Sequence, residues 1–260
     1  MIKQRSPEEI ALLRESNQLV SKVLGMLARE IRPGISTEWL DKLAEEYIRS
    51  HNAVPGFLGY RGYPRTLCTS VNEEVVHGIP SKRILKEGDI VSVDCGVLLN
   101  GYYGDSAYTF AVGEINDKVR KLLQITKESL YLGIREAKAG NRVGDIGYAI
   151  QQHCERHGYS VVREMVGHGL GQNLHEAPEV PNYGKRGTGP KLLNGMVICI
   201  EPMINMGKRY IVQDEDGWTI RAGDGLPSAH FEHAVAIGEN EAEVLSTFAY
   251  IEEALGEKEF

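Results

Sequence analysis

Residues 93–105, VDCGVLLNGYYGD, admit few folds. Asn100-Gly101 sits between strand-like residues, and a two-residue loop there needs positive φ at both positions, which asparagine and glycine tolerate. A hairpin about that turn sets Leu99 against Tyr102, Gly96 against Asp105 and Asp94 against Ala107. Side chains alternate faces along a strand, so Asp94 and Asp105 share one face as diagonal neighbours, roughly 7–8 Å apart at Cα. Gly96, opposite Asp105, is expected to be small because it faces that carboxylate. Two carboxylates so placed repel unless water or a positive charge lies between them.

The flanking sequence supplies helices. Ser6-Pro7-Glu8-Glu9 is a capping box with proline at the first helical position. Apolar residues at helical spacing predict a helix over 7–31, which Pro33-Gly34 breaks. A second runs from Ser36 to about His51, and 55–80 read as loop and strand. The hairpin spans Asp89 to Val112, with further helices over Asn116–Lys138 and Val143–His157. After Gly158 the chain reads as strands and turns almost to its end.

This order repeats. REIRPG at 29–34 matches REAKAG at 135–140, and His51 then meets His157. LKEGDIVSVD at 85–94 matches LLNGMVICIE at 192–201, which sets Asp94 against Glu201. HGIP at 77–80 matches HEAP at 175–178. Collinear matches predict a duplicated α+β unit within one catalytic domain, 1–260, with pseudo-symmetric halves of about 1–114 and 115–260. A site between the halves would collect carboxylates from both.

Composition excludes other classes. The net charge is −7 and no basic block is present, which argues against nucleic acid. No apolar run approaches membrane-spanning length, and MIKQRSPEEI has no signal-peptide core. The 4 cysteines (68, 95, 154 and 199) form no CxxC pair, so neither a zinc knuckle nor a disulfide framework is expected. A soluble cytoplasmic protein with reduced thiols is expected.

The polar clusters each carry two readings. In VGHGLGQNLHEAPEVPN (166–182) the glycines miss G-x-G-x-x-G, and HEAPE is not the helical H-E-x-x-H of zinc proteases. His168, between two glycines, reads as an ordinary buried or turn residue or as a ligand. MVICIEPMI (196–204) places Glu201 in an apolar strand, and a buried acid needs a partner or a cation. SAHFEHAVAIG (228–238) does the same with Glu232 and His233, which alternation sends to opposite faces. HCERH (153–157) pairs histidines at i and i+4, and these read as exposed helix-end residues. Phe57, Leu58, Tyr60 and Tyr63 read as core or as a pocket wall, with core favoured. Four carboxylates and one histidine together suit divalent cations, and shared carboxylates can bridge two of them.

The ordered set Asp94, Asp105, His168, Glu201 and Glu232, in the contexts NEEVVHGIP, VDCGVLLNGYYGDSAYTF, VGHGLGQNLHEAP, ICIEPMI and DGLPSAHFEHAVAIG, resembles the metal-ligand set of the type I methionine aminopeptidases of the M24 peptidases. The likeness covers nearly the whole chain, in the short bacterial form without a zinc-binding extension or the type II insertion. It implies the pita-bread fold, an α+β arrangement with internal pseudo-two-fold symmetry and a curved, mainly antiparallel sheet covered by helices. It implies removal of the initiator methionine by a monomer acting on nascent polypeptide N-termini, with transient ribosome contact and no nucleic acid or membrane partner. Two divalent metal ions (Co, Mn, Fe(II), Zn or Ni) are implied: Asp94 holds one, His168 and Glu201 the other, and Asp105 and Glu232 both. Glu201, His77 and His175 are the implied catalytic residues. His77, His175, Tyr60, Tyr63, Cys68 and Trp218 are the implied substrate contacts. Phe57, Leu174 and Ala234 depart from the common pattern. An aminopeptidase P or prolidase is a competing reading, although residues 1 to about 80 leave little room for the additional domain those carry. A non-catalytic binding protein on the same fold is another.

Overall fold

The computed structural model describes residues 2–256. Helix α1 spans Pro7–Ala28, with Ser6 and Glu9 closing the capping box, and ends short of residue 31. Helix α2 spans Thr37–Ser50, with Ser36 as its N-cap. After it come β1 (Val54–Pro55), β2 (Leu67–Val71) and β3 (Glu74–Val76). The hairpin is β4 (Ile90–Leu99) and β5 (Tyr102–Ala111). Asn100 and Gly101 take φ of 52° and 80°, and Leu99 faces Tyr102, Gly96 faces Asp105 and Asp94 faces Ala107, as expected. Strands β1 and β2 pair with the other edge of β4.

The second half repeats the order. Helix α3 (Asp117–Glu136) and α4 (Val143–Arg156) precede β6 (Ser160–Val161), β7 (Gly167–Gly169), β8 (Glu176–Val180), β9 (Val197–Ile200) and β10 (Met203–Asn205). Next come β11 (Ile211–Gln213), β12 (Ile220–Ala222), β13 (Ser228–His230), β14 (His233–Ile237) and β15 (Ala242–Val244). A five-stranded sheet runs β15-β14-β9-β7-β8, and every pairing in the sheets of the described residues is antiparallel. Helix α5 (Ala249–Leu255), which the sequence reading did not place, closes the described chain against α1. The two halves share one detail at the matched histidines. His51 and His157 each cap a helix, with Nδ1 2.8 Å from the carbonyl four residues back and the ring against the side chain at that position.

The halves meet along β5. Glu232 donates its backbone N–H to Ala107 O at 2.9 Å, Ser106 Oγ donates to Glu232 O at 2.6 Å, and Thr109 Oγ1 donates to His230 O at 2.7 Å. This seam brings Asp105 beside Glu232. Helix α1 lies across β5 on the other side. Ser16 Oγ is 2.9 Å from Tyr102 O, and Asn17 Oδ1 accepts the Asp105 N–H at 3.1 Å. Gly104 permits this approach, because a Cβ there would lie 2.5 Å from the Ser16 carbonyl carbon and 2.6 Å from Asn17 N. Gly104→Ala should therefore push α1 off the strand that carries Asp105. We expect a loss of about 1–3 kcal/mol with an unchanged denaturant slope, measured by urea unfolding; wild-type stability would contradict this packing.

Candidate metal centre and substrate cavity

Strand alternation and the seam converge on one cavity. Asp94 reaches it from β4, Asp105 from β5, His168 from β7, Glu201 from the residue after β9, and Glu232 from the link between β13 and β14. Residues 167 and 169 are glycine because backbone crowds them: an added Cβ would run into Cys199 O or Ala177 O. Strand β7 can thus press against its neighbours and bring His168 between the acids. A carbonyl only accepts, so His168 Nδ1–H donates to Gly169 O, 3.0 Å away, and Nε2 is left with its lone pair. That nitrogen is 3.7 Å from Asp105 Oδ2 and 3.5 Å from Glu201 Oε1. His168 is thus a cavity residue, and the ordinary-turn reading falls away.

Among the described residues the acids have no arginine or lysine as ion-pair partner. Asp94 Oδ1, Asp105 Oδ1, Glu201 Oε1 and Glu232 Oε1 are buried without a hydrogen-bond partner. Burial pushes the Asp94 carboxyl up to about 7, against its hydrogen bond with Asp105. Burial and the neighbouring acids raise Asp105, Glu201 and Glu232 well above the usual carboxylate range. Burial lowers His168 to about 4, so its ring is neutral at neutral pH. An orphaned carboxylate oxygen is costly in a dry cavity, and a divalent cation removes that cost by supplying charge and a bond together. The donor set, oxygens with one imidazole nitrogen, fits such ions.

The same cavity, about 280 Å³ in all, is walled beyond the acids by Phe57, Tyr60, Tyr63, Cys68, Leu174 and Trp218. Phe57 and Tyr63 are buried in a core cluster, as expected, with Tyr60 packed against it, and all three also line the cavity; Leu58, 39 % exposed, does not. Tyr63 is fixed by its hydroxyl, 2.9 Å from Leu67 O and 3.0 Å from Gly78 O, and Trp218 meets it edge to face at 5.1 Å. His77 holds a left-handed backbone (φ 60°), a costly conformation that turns its ring toward Trp218. His175 sits at the mouth, with Nδ1 2.8 Å from the Tyr60 hydroxyl and its ring 4.3 Å from that of His168. Burial, aided by His168, Arg61 and His77, lowers its value to about 3. Its loop is tied down next door, where Arg5 binds Glu176 at 2.5 Å.

Gly96 is small because the Phe57 ring occupies the place a Cβ would take; the Asp105 carboxylate is not among the nearest atoms. His230, which the sequence reading passed over, lines the cavity 2 % exposed, with Nε2 3.8 Å from Glu201 Oε2. The alternation that sends His233 away, to Ser246 at 2.7 Å, should have placed His230 on the face of Glu232. The pair in HCERH stays outside: His153 is 2.9 Å from Glu128, and His157 is exposed.

Comparison with known proteins agrees with this geometry. The pattern of metallopeptidase family M24 matches residues 11–239. A methionine aminopeptidase of Clostridium acetobutylicum is 50 % identical over 95 % of this chain and 99 % of its own. The crystal structure of methionine aminopeptidase from Rickettsia prowazekii superposes with a TM-score of 0.94 at 40 % identity, over 95 % of this chain and 100 % of that one. A prolidase from Pyrococcus furiosus shares the fold alone, at 24 % identity and a TM-score of 0.72, over 94 % of this chain and 65 % of that one.

Two outcomes are expected. Acids raised by folding stabilise fully below their unfolded values, and that contribution is lost as pH rises through the folded value. The melting temperature of chelated protein should accordingly fall from about pH 4 toward and past pH 7, and Mn(II) should flatten the fall; a pH-independent profile would contradict the charge argument. Separately, Gly96→Ala should destabilise by about 1–3 kcal/mol, and much of the loss should vanish in a Phe57→Ala background. Additive losses in that double-mutant cycle would show that the ring does not set the size of residue 96.

Proposed function

This chain belongs to metallopeptidase family M24, and from that premise we propose that it removes the N-terminal methionine of nascent proteins whose second residue is small. It is a metal-dependent aminopeptidase. The observation that carries the reading is that four acids and His168 share one cavity with an aromatic, thiol-bearing wall. In this reading Asp94, Asp105, His168, Glu201 and Glu232 would hold two divalent ions, which would supply an activated water and polarise a carbonyl.

The chain's own residues do the rest. Glu201 accepts the proton of the attacking water. With the Tyr60 hydroxyl donating to Nδ1, His175 keeps its hydrogen on Nε2 and donates it to the carbonyl oxygen as charge develops there. His175 is neutral at neutral pH, so it acts as a donor dipole. His77 hydrogen-bonds the scissile amide and assists the leaving amine. The free amine of the substrate lies at the Asp94 end. Tyr63, Cys68 and Trp218 take the side chain, whose polarizable thioether suits aromatic edges and a thiol. Phe57 and Leu174 narrow the same wall, and Ala234, where threonine is common, removes a hydroxyl behind Glu232. The physiological setting in this reading is a cytoplasmic monomer that contacts ribosomes transiently. No helix among the described residues is long and apolar enough to cross a membrane.

A peptide panel varying the first two residues tests the proposal. Met-Ala and Met-Gly peptides should release methionine, Xaa-Pro substrates should not be cleaved, and chelation should abolish turnover until Mn(II), Fe(II) or Co(II) is restored. Glu201→Ala should lower kcat/KM at least ~10²-fold. Cleavage of Xaa-Pro bonds, or normal turnover by that variant, would refute it.

A further inference from the structure

His175 is open to solvent at the cavity mouth, on the loop 170–175 that joins β7 to β8. Glu176 follows it and closes the loop. Its Oε1 accepts from the Asn173 backbone N–H at 3.1 Å and from Asn173 Nδ2 at 3.2 Å. Its Oε2 accepts from Arg5 Nη2 at 2.5 Å. Both side chains are buried, 4 % exposed for Arg5 and 8 % for Glu176. A charged pair sealed this far from water persists only with close, directed hydrogen bonds. The loop is shaped around the pair, since a Cβ at Gly171 would fall on the Arg5 guanidinium.

The arm that carries Arg5 is itself anchored. Arg5 N donates to Gly195 O at 2.7 Å, and Gln4 Nε2 donates to Asn194 O at 2.8 Å. Arg5 Nη1 lies 3.6 Å from Glu9, whose Oε1 accepts from the Tyr102 hydroxyl at 2.8 Å. The next hairpin residue, Tyr103, donates its N–H to Gly171 O at 2.8 Å. Ser6 then starts α1, which holds Asp105 through Asn17. The residues ahead of α1 thus tie the loop bearing His175 to the strand bearing Asp105.

We infer that Arg5 is a positioning residue for the reaction: through Glu176 it fixes the backbone from which His175 meets the substrate carbonyl. The inference rests on the aminopeptidase reading above and deepens it. Arg5 does not line the cavity, so it acts through its neighbour. A ring at an open mouth, bonded to the Tyr60 hydroxyl, takes the rest of its placement from its own backbone. His175 donates as charge develops on the carbonyl oxygen. A shift of its loop therefore weakens the transition state more than it weakens the bound substrate.

A double-mutant cycle between Arg5 and His175 tests this. Arg5→Met keeps the stem and removes the charge, and Arg5→Lys keeps the charge. Turnover of a Met-Ala peptide with Mn(II) is measured beside hydrogen exchange of the metal-free protein. Arg5→Met should lower kcat by about 10-fold or more and leave KM within about twofold. It should also speed exchange over 170–176 while β4 exchanges as in wild type. Arg5→Lys should restore part of both. In a His175→Ala background, Arg5→Met should lower kcat no further. Losses that multiply, as a general loosening would give, overturn the inference, and so does wild-type kcat in Arg5→Met. Should Arg5→Met fail to fold, Glu176→Gln takes its place in the cycle, and multiplying losses there overturn the inference equally. Wild type inactive on the Met-Ala peptide sinks the aminopeptidase reading and the positioning role together. Active wild type with multiplying losses sinks the positioning role alone.

Discussion

Mutual repulsion among four acids in one cavity is the constraint around which this fold is arranged. Asp94 and Asp105 come from the hairpin strands, Glu201 from the end of β9 and Glu232 from the link between β13 and β14, and each has a buried oxygen without a protein partner. Among the described residues no ion pair joins these acids to an arginine or lysine, and the imidazole nitrogens 3.5–3.8 Å from them belong to the neutral rings of His168 and His230. Burial above all, with the neighbouring acids adding to it at Asp105, Glu201 and Glu232, raises these carboxyls above the ordinary range, so a proton is what quiets them in the protein alone. A divalent cation does so without silencing the oxygens as ligands or bases. Stability is thus held in tension with function, as it commonly is where chemistry is done.

The surrounding structure serves that cluster by rigidity. Helix α1 fixes the Asp105 backbone through Asn17, the seam fixes Glu232 against Ala107, and glycines at 167 and 169 admit His168 between crowded strands. The substrate wall is built in the same manner, with Tyr63 and His175 each locked by a hydrogen bond before any ligand arrives. Pre-set donors lower the reorganisation that a reaction needs.

Much of this was legible in the chain. Asn100-Gly101 determined the turn type, hence the register, hence the shared face of Asp94 and Asp105. Ser6 with Glu9, and Pro33-Gly34, bounded the first helix to within a turn. The weaker readings failed for tertiary reasons. Gly96 accommodates an aromatic ring from residue 57, a packing partner about forty positions away that no local rule could name. For Phe57, Tyr60 and Tyr63 the core reading is right but incomplete, because the apolar wall of a cavity and a core present the same chemistry to a side chain. His230 was legible by alternation, since it stands two residues before Glu232 and shares its face. Helix α5 is seven residues long and gave too short a pattern to read.

The central claim is that the acids share two cations, and anomalous diffraction from Mn(II)-loaded crystals tests it most directly. The account predicts two manganese peaks, about 3.5–4 Å apart, one against Asp94, the other against His168 and Glu201, with Asp105 and Glu232 between them. Manganese absent from this cavity, or bound without Asp105 and Glu232, would contradict it.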